Sequence, residues 1–245
     1  MIKKILKTIK TVFYPEGYSC IFCGKEIVSD EDRYLSTCEE CSCSLVYNGE
    51  EKVCNVCAGN IENQTDALCQ DCLTNPPPYN KLYSVFVYKD TVRKTVLLYK
   101  EHGHRYLAKY VARYIADYLS TQHVRADIIC PIPASREAMT SRGFSHIVEI
   151  CEELSAALQI PMHKLLLRTP FVNRQKGKTR REREKNIIGS FAFDMTLDEE
   201  LYKDKTVLII DDVVTSGATI AEAARVIAEN GVSEVLAASF ARTRM

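Results

Sequence analysis

The stretch Val207-Leu-Ile-Ile-Asp-Asp-Val-Val-Thr-Ser-Gly-Ala-Thr219 decides the fold. Four consecutive apolar residues, Val207 to Ile210, predict a strand buried on both faces. Two adjacent carboxylates follow, then a turn of small residues, then the start of an amphipathic helix. A buried strand that delivers a Thr-Ser-Gly-Ala-Thr turn onto a helix N-terminus is suited to a phosphate. Backbone N–H groups point outward there, the helix dipole favours an anion, and small side chains let a ligand approach the main chain. The candidate phosphate-binding residues are Thr215, Ser216, Gly217, Ala218 and Thr219. Asp211 and Asp212, just ahead of the turn, are positioned to accept hydrogen bonds from the hydroxyls of a sugar carrying that phosphate. An acidic turn with Thr215 or Ser216 capping a helix would share parts of this string. The chain contains neither Gly-x-x-x-x-Gly-Lys-Ser/Thr nor the dinucleotide-binding glycine pattern.

Outward from this unit, apolar periodicity predicts a helix over Ala218–Asn230, stopped by Gly231, and a strand over Val235–Phe240. Upstream, strands are expected at Tyr83–Tyr88, Asp127–Cys130, Lys164–Leu167 and Gly189–Phe193. Helices are expected at Val92–Tyr99, Arg105–Leu119 and Phe144–Leu158. Strands alternating with helices define an α/β fold, with a mostly parallel sheet covered on both faces and ligands at the strand C-terminal ends.

The chain has 245 residues, enough for one mid-sized α/β domain and a small extra module. Lysine plus arginine equals aspartate plus glutamate, 32 each, so no global field steers the chain toward nucleic acid. No apolar run approaches 20 residues, so no spanning helix is expected. The N-terminus has lysines but neither an apolar core nor a cleavage site, so it does not read as a secretory signal. A cytoplasmic protein is expected. Residues 1–13 alternate Ile2, Ile5, Leu6, Ile9, Val12 and Phe13 with four lysines and predict a basic amphipathic helix. Such a helix suits an anionic membrane surface, the protein's own body or a partner.

Eight of the eleven cysteines form four CxxC pairs: Cys20/Cys23, Cys38/Cys41, Cys54/Cys57 and Cys69/Cys72. CxxC sets two sulfurs on one tight knuckle, and two knuckles complete a tetrahedral thiolate cage for zinc. In a cytoplasmic setting disulfides are disfavoured. Two structural zinc sites are expected, from consecutive pairs or from an interleaved cross-brace. Cys43 is either a spectator or a replacement for Cys41. A segment with few large apolar side chains needs such staples to fold at all.

Three further segments carry candidate chemistry. In Ile129-Cys-Pro-Ile-Pro-Ala-Ser-Arg136 a strand enters a proline-stiffened loop with an arginine, and Arg142-Gly-Phe-Ser-His146 opens the next helix. Between Asn173 and Asn186 seven basic residues face two acidic ones, a local charge of +5. That segment, with Arg180, Arg181 and Arg183, suits a flap over a pyrophosphate, a nucleic-acid contact or a solvated helix. Tyr106, Tyr110, Tyr114 and Tyr118 repeat every four residues among Arg105, Lys109 and Arg113. The arrangement would let bases stack, but the neighbouring apolar stripe favours tyrosines that flank a core-packed face.

Taken in order, these pieces resemble the type I phosphoribosyltransferases at Asp211–Thr219 and the ComF family of competence-associated proteins over nearly the full length. The match rests on the cysteine-rich N-terminus, Pro76-Pro-Pro78, Tyr99-Lys-Glu-His-Gly-His-Arg105, Pro131-Ile-Pro133, Arg142-Gly-Phe144, the Gln175–Asn186 segment and the acidic phosphate-loop string. It departs at Ser145-His146, where the family usually shows Asn-Gln. The resemblance implies a type I phosphoribosyltransferase-like sheet over residues 81–245. A basic helix (1–17), a zinc-ribbon-like module (18–75) and a proline linker (76–80) would precede it. It implies 5-phosphoribosyl 1-pyrophosphate (PRPP) with Mg²⁺ as ligand, Asp211 and Asp212 on the ribose hydroxyls, and Ala134, Ser135 and Arg136 on the pyrophosphate. Single-stranded DNA and a competence DNA helicase are the implied partners, in DNA uptake during transformation. Three functions stay open: a phosphoribosyltransferase with an unidentified acceptor, a DNA-handling factor regulated by PRPP, and a protein whose zinc module docks a partner.

Overall fold

The computed structural model describes residues 18–27, 34–63, 65–169 and 187–244; within it, the side chains of Arg136, Ser141 and Arg142 are left undescribed. The expected N-terminal helix and the whole basic segment from Asn173 to Asn186, including Arg180, Arg181 and Arg183, lie outside the described residues. Four parallel strands form the sheet, in the order β1-β6-β5-β2: β1 (Lys81–Val87), β2 (Ile128–Pro131), β5 (Thr206–Val214) and β6 (Glu234–Arg242). A short antiparallel pair, β3 (Leu166–Arg168) with β4 (Phe191–Phe193), stands beside it.

Helices cover both faces, as buried parallel strands require. α3 (Asp90–His102), α4 (Leu107–Thr121) and α6 (His146–Leu158) precede β5, and α7 (Ala218–Ala228) follows it. The alternation of side chains along β5 sorts the core. Leu208 and Ile210 point into a cluster with Phe86, Phe240, Tyr114 and Ile150, beneath α4 and α6. Val207 and Ile209 point into a second cluster with Ala237, Ile220 and Ile227, beneath α7. The crossover helices therefore change face at β5, and that change opens a crevice at the strand C-terminal ends.

The cysteine-rich stretch is built twice on one plan. Antiparallel bridges Ser19↔Glu26 and Val53↔Asn60 each clamp a knuckle, holding Cys20/Cys23 and Cys54/Cys57. Each knuckle is followed by a short helix whose N-cap is the third cysteine, Cys38 before α1 (Glu39–Ser44) and Cys69 before α2 (Gln70–Thr74). The residue after each second knuckle cysteine takes a left-handed backbone, Gly24 at φ 77° and Ala58 at φ 55°. Cys20 and Cys41 join the core beneath α4, whereas Cys54, Cys57 and Cys72 join the core beneath α7. Residues 46–48 lie along the outer edge of β1, with Tyr47 bridged to Phe86 and the Val87 N–H donating to the Val46 carbonyl. An edge strand that would otherwise present unpaired backbone groups is thereby covered.

Candidate functional site

β5 is longer than its apolar run. Parallel pairing continues through Asp211↔Ser239, Val213↔Ala241 and Val214↔Arg242, so both carboxylates belong to the strand rather than to the turn after it. Asp212 is buried, whereas Asp211 is half-buried. The Asp212 N–H donates to Asp211 Oδ1 at 2.9 Å, and the Val213 N–H donates to Asp212 Oδ1 at 2.6 Å.

Two cationic or protonatable side chains converge on Asp212. Lys100, from α3, places Nζ 2.8 Å from Oδ1 and 2.7 Å from Oδ2. His146, the first residue of α6, places Nε2 2.5 Å from Oδ2. Ser145 caps that helix by accepting from the Val148 N–H, and the Tyr99 hydroxyl donates to the His146 carbonyl at 2.7 Å, so the histidine is fixed at both ends. Burial alone would raise the Asp212 carboxyl, yet the His146 hydrogen bond and the Lys100 charge hold it down at about 2. Asp211 goes the other way. Burial, then the charge of Asp212, pushes it up to about 7 against the opposing pull of Lys100. Two neighbouring carboxylates thus differ in their readiness to ionise because only one of them faces the cations.

The turn after β5 has the expected form. Thr215 is exposed, Ser216 to Thr219 are partly exposed, and Gly217 at φ 83° is the N-cap of α7. The Ser216 hydroxyl accepts from the Ala218 N–H at 3.4 Å. Glycine is required here because the left-handed backbone disfavours a β-carbon. One strand away, β2 ends at Pro131 opposite Ile210, and the Ile132 N–H donates to the Ile210 carbonyl at 3.3 Å. The loop through Ala134 and Ser135 therefore leaves the sheet beside the acidic pair. Ser135 caps α5 (Arg136–Arg142), accepting from the Ala138 N–H at 3.2 Å. The loop, the carboxylates and the turn meet at one end of the sheet.

The cysteines assemble into two groups, Cys20/Cys23/Cys38/Cys41 and Cys54/Cys57/Cys69/Cys72, with the sulfurs of each group within 4.8 Å of one another. The Cys23–Cys38 and Cys57–Cys69 Sγ separations are 3.7 and 3.6 Å. Tetrahedral zinc with Zn–S bonds of about 2.3 Å sets its sulfurs about 3.8 Å apart, so either group could hold zinc. Consecutive pairs combine, not interleaved ones, and Cys43 stays exposed outside the cage.

Two contributors escape a linear reading. Lys100 and His146 lie 112 and 66 positions before Asp212, and neither residue type at its position signals the meeting. Arg242 lies at the end of β6, buried at 6% exposure. An arginine that extends an otherwise apolar strand was the available signal. The tyrosine ladder resolves in favour of packing: Tyr110 and Tyr114 are buried, and Tyr106 is exposed.

Residues 148–244 match the family described as the phosphoribosyl transferase domain. Competence protein F of Haemophilus influenzae is 23% identical over 232 residues, 92% of this chain and 97% of its own length. DNA utilization protein YhgH of Escherichia coli K12 is 26% identical over 209 residues, 82% of this chain and 88% of its own. Competence protein ComFC of Bacillus subtilis is 26% identical over 204 residues, 74% of this chain and 80% of its own. Behind its two four-cysteine groups the chain thus matches the phosphoribosyl transferase domain family over residues 148–244, and over most of its length it is similar to these competence and DNA utilization proteins.

Proposed function

We infer that this chain is a PRPP-binding, phosphoribosyltransferase-like protein that acts in DNA uptake or utilisation, as the names of its relatives suggest for them. The observation that carries this reading is the meeting of the Asp211–Asp212 pair with the Thr215–Thr219 turn at the C-terminal end of β5. The turn offers backbone N–H groups and a helix N-terminus to the 5-phosphate. Asp211 and Asp212 accept from the ribose hydroxyls. Ala134, Ser135 and Arg136 would take the pyrophosphate, and Arg180, Arg181 and Arg183, outside the described residues, are candidates for closing over it or for contacting DNA. Magnesium entering with the ligand would neutralise pyrophosphate charge. Lys100 and His146 keep Asp212 ionised and aimed, so the pair is organised for the sugar. The two cysteine groups are proposed to hold structural zinc, each stapling one core.

Thermal unfolding tests the assignment. A ligand that binds only the folded state raises the melting temperature with its concentration. Mg²⁺-PRPP at saturating concentration is expected to raise Tm for the wild type and to leave Asp211→Asn/Asp212→Asn almost unmoved. A double variant stabilised as strongly as wild type overturns the sugar-binding role.

A further inference from the structure

Arg242 is buried, yet no carboxylate among the described residues pairs with it, and Nε and Nη1 have no hydrogen-bond partner. A guanidinium without a counter-charge is costly inside a protein. Its surroundings show what the charge faces. Nη2 stands 3.8 Å from Cys57 Sγ, in the second cysteine cage. On the other side is the phosphate turn: a β-carbon at Gly217 would meet Arg242 Nη1, Tyr79 Oη and Val214 Cγ1, each at 3.9 Å. The backbone of Arg242 pairs with Val214, the residue before that turn, so the position is fixed by the sheet. Gly59 completes the enclosure, since a β-carbon there would fall 3.0 Å from Nη2 and 3.3 Å from Nε.

Four thiolates around one divalent ion carry a net charge of about −2. A filled cage beside Nη2 would supply the counter-charge that Arg242 lacks among the described residues. We propose that Arg242 is a positioning residue that couples the second cage to the phosphate turn. With metal in place, its guanidinium is held between Cys57 and Gly217 and sets a fixed positive charge behind the turn. With the cage empty, the sulfurs are no longer gathered against the guanidinium, which leaves that position, and affinity for the phosphate falls. Metal occupancy is then a condition of ligand binding, beyond its part in stapling the segment. Both cages lie on the sheet, but only the second shares a core with Val214 and Ile220 on either side of the turn.

This inference rests on the PRPP reading, and the test separates the two. Full-length protein is loaded with zinc and counted by elemental analysis. A colorimetric chelator then follows metal release, and calorimetry follows Mg²⁺-PRPP binding. Arg242→Met, which keeps the stem but removes the charge, is expected to surrender one of its two ions about tenfold faster and to bind PRPP about tenfold more weakly. Arg242→Lys, which keeps the charge without the fork, is expected to recover PRPP affinity to within about threefold of wild type. Tyr114→Phe, which loosens the dock of the first cage only, serves as the control for general destabilisation and keeps wild-type affinity. Should Arg242→Met fail to fold, Gly59→Ala decides by the same two readouts, because its β-carbon presses on the guanidinium directly. Variants that retain both ions and PRPP like wild type overturn the coupling. So does a wild-type chain that binds PRPP equally before and after the chelator removes both ions, or a Tyr114→Phe control that loses as much affinity. A zinc-loaded wild type that binds no PRPP overturns instead the reading beneath it.

Discussion

Asp211 and Asp212 are chemically identical neighbours that the fold treats in opposite ways. Asp212, gripped by Lys100 and His146, is held at about 2, below the value of about 3.8 for a free aspartate. Its contribution to stability is present above that free value and is lost only as pH falls through about 2. Asp211, with its carboxyl drawn out of water beside the ionised Asp212, is pushed up to about 7. The folded chain therefore holds a proton there that the unfolded chain has released, so stability from this group is greatest near pH 4 and is lost as pH rises through 7. Asp211→Asn keeps an oxygen for the Asp212 N–H and removes the ionisation. It is expected to stabilise the ligand-free protein at pH 8 by on the order of 1–2 kcal/mol, and to flatten its pH dependence between 5 and 8. The same change weakens PRPP binding. Urea denaturation at several pH values checks it, and identical slopes for variant and wild type would sink the assignment. The sequence showed the two carboxylates and the turn after them. It did not show their asymmetry, which comes from Lys100 and His146, residues brought in by helices far away along the chain.

At the scale of elements, periodicity made the sheet strands and the longer helices legible to within a few residues, whereas the short helices α1, α2 and α5, too brief to show a period, were not read. The apolar run of β5 stops at Ile210, yet hydrogen bonding to β6 carries the strand to Val214. Backbone pairing, not side-chain hydropathy, sets that end. The tyrosines of α4 recur every four residues while the helix turns every 3.6, so the ladder drifts around the axis. Tyr106 stays exposed as Tyr110 and Tyr114 turn under the cysteine segment. Tyr114 packs edge-on against Phe22 and Phe86, and its hydroxyl lies 2.5 Å from Thr37 Oγ1 in the interior. That bond ties α4 to the chain between the first and second cysteine pairs, beside the bonds that Arg113 makes to the Tyr34 carbonyl and the Tyr34 hydroxyl makes to Asp117. Tyr114→Phe removes it while Thr37 keeps its bond to the Leu35 carbonyl, and is expected to cost about 1 kcal/mol. Equilibrium urea unfolding measures this, and an unchanged midpoint would show that the hydroxyl contributes nothing to the dock.

Over the whole molecule the charges cancel, 32 against 32, and that balance constrains any role with DNA. A neutral chain has no long-range field to draw a polyanion, so binding has to depend on a local concentration of positive charge. The segment from Asn173 to Asn186, with its net +5, supplies one. It connects β3 to β4, and Gly189, just beyond it, donates to Glu222 of α7 at 2.6 Å. Gly189 is thus anchored to the helix that carries the phosphate turn. Position and charge leave two uses for the same arginines, a strand of DNA or the pyrophosphate of PRPP, and one variant separates them. Changing Arg180, Arg181 and Arg183 to alanine is expected to weaken single-stranded DNA binding across sequences. It should also reduce the salt dependence, because fewer counterions are released when fewer phosphates are neutralised. If the arginines close over pyrophosphate instead, the triple variant loses PRPP affinity and keeps its DNA affinity. Fluorescence anisotropy over a salt series, run beside PRPP calorimetry on the same preparation, reads both. Loss of neither ligand would remove the segment from both roles and leave it a solvated run of charge.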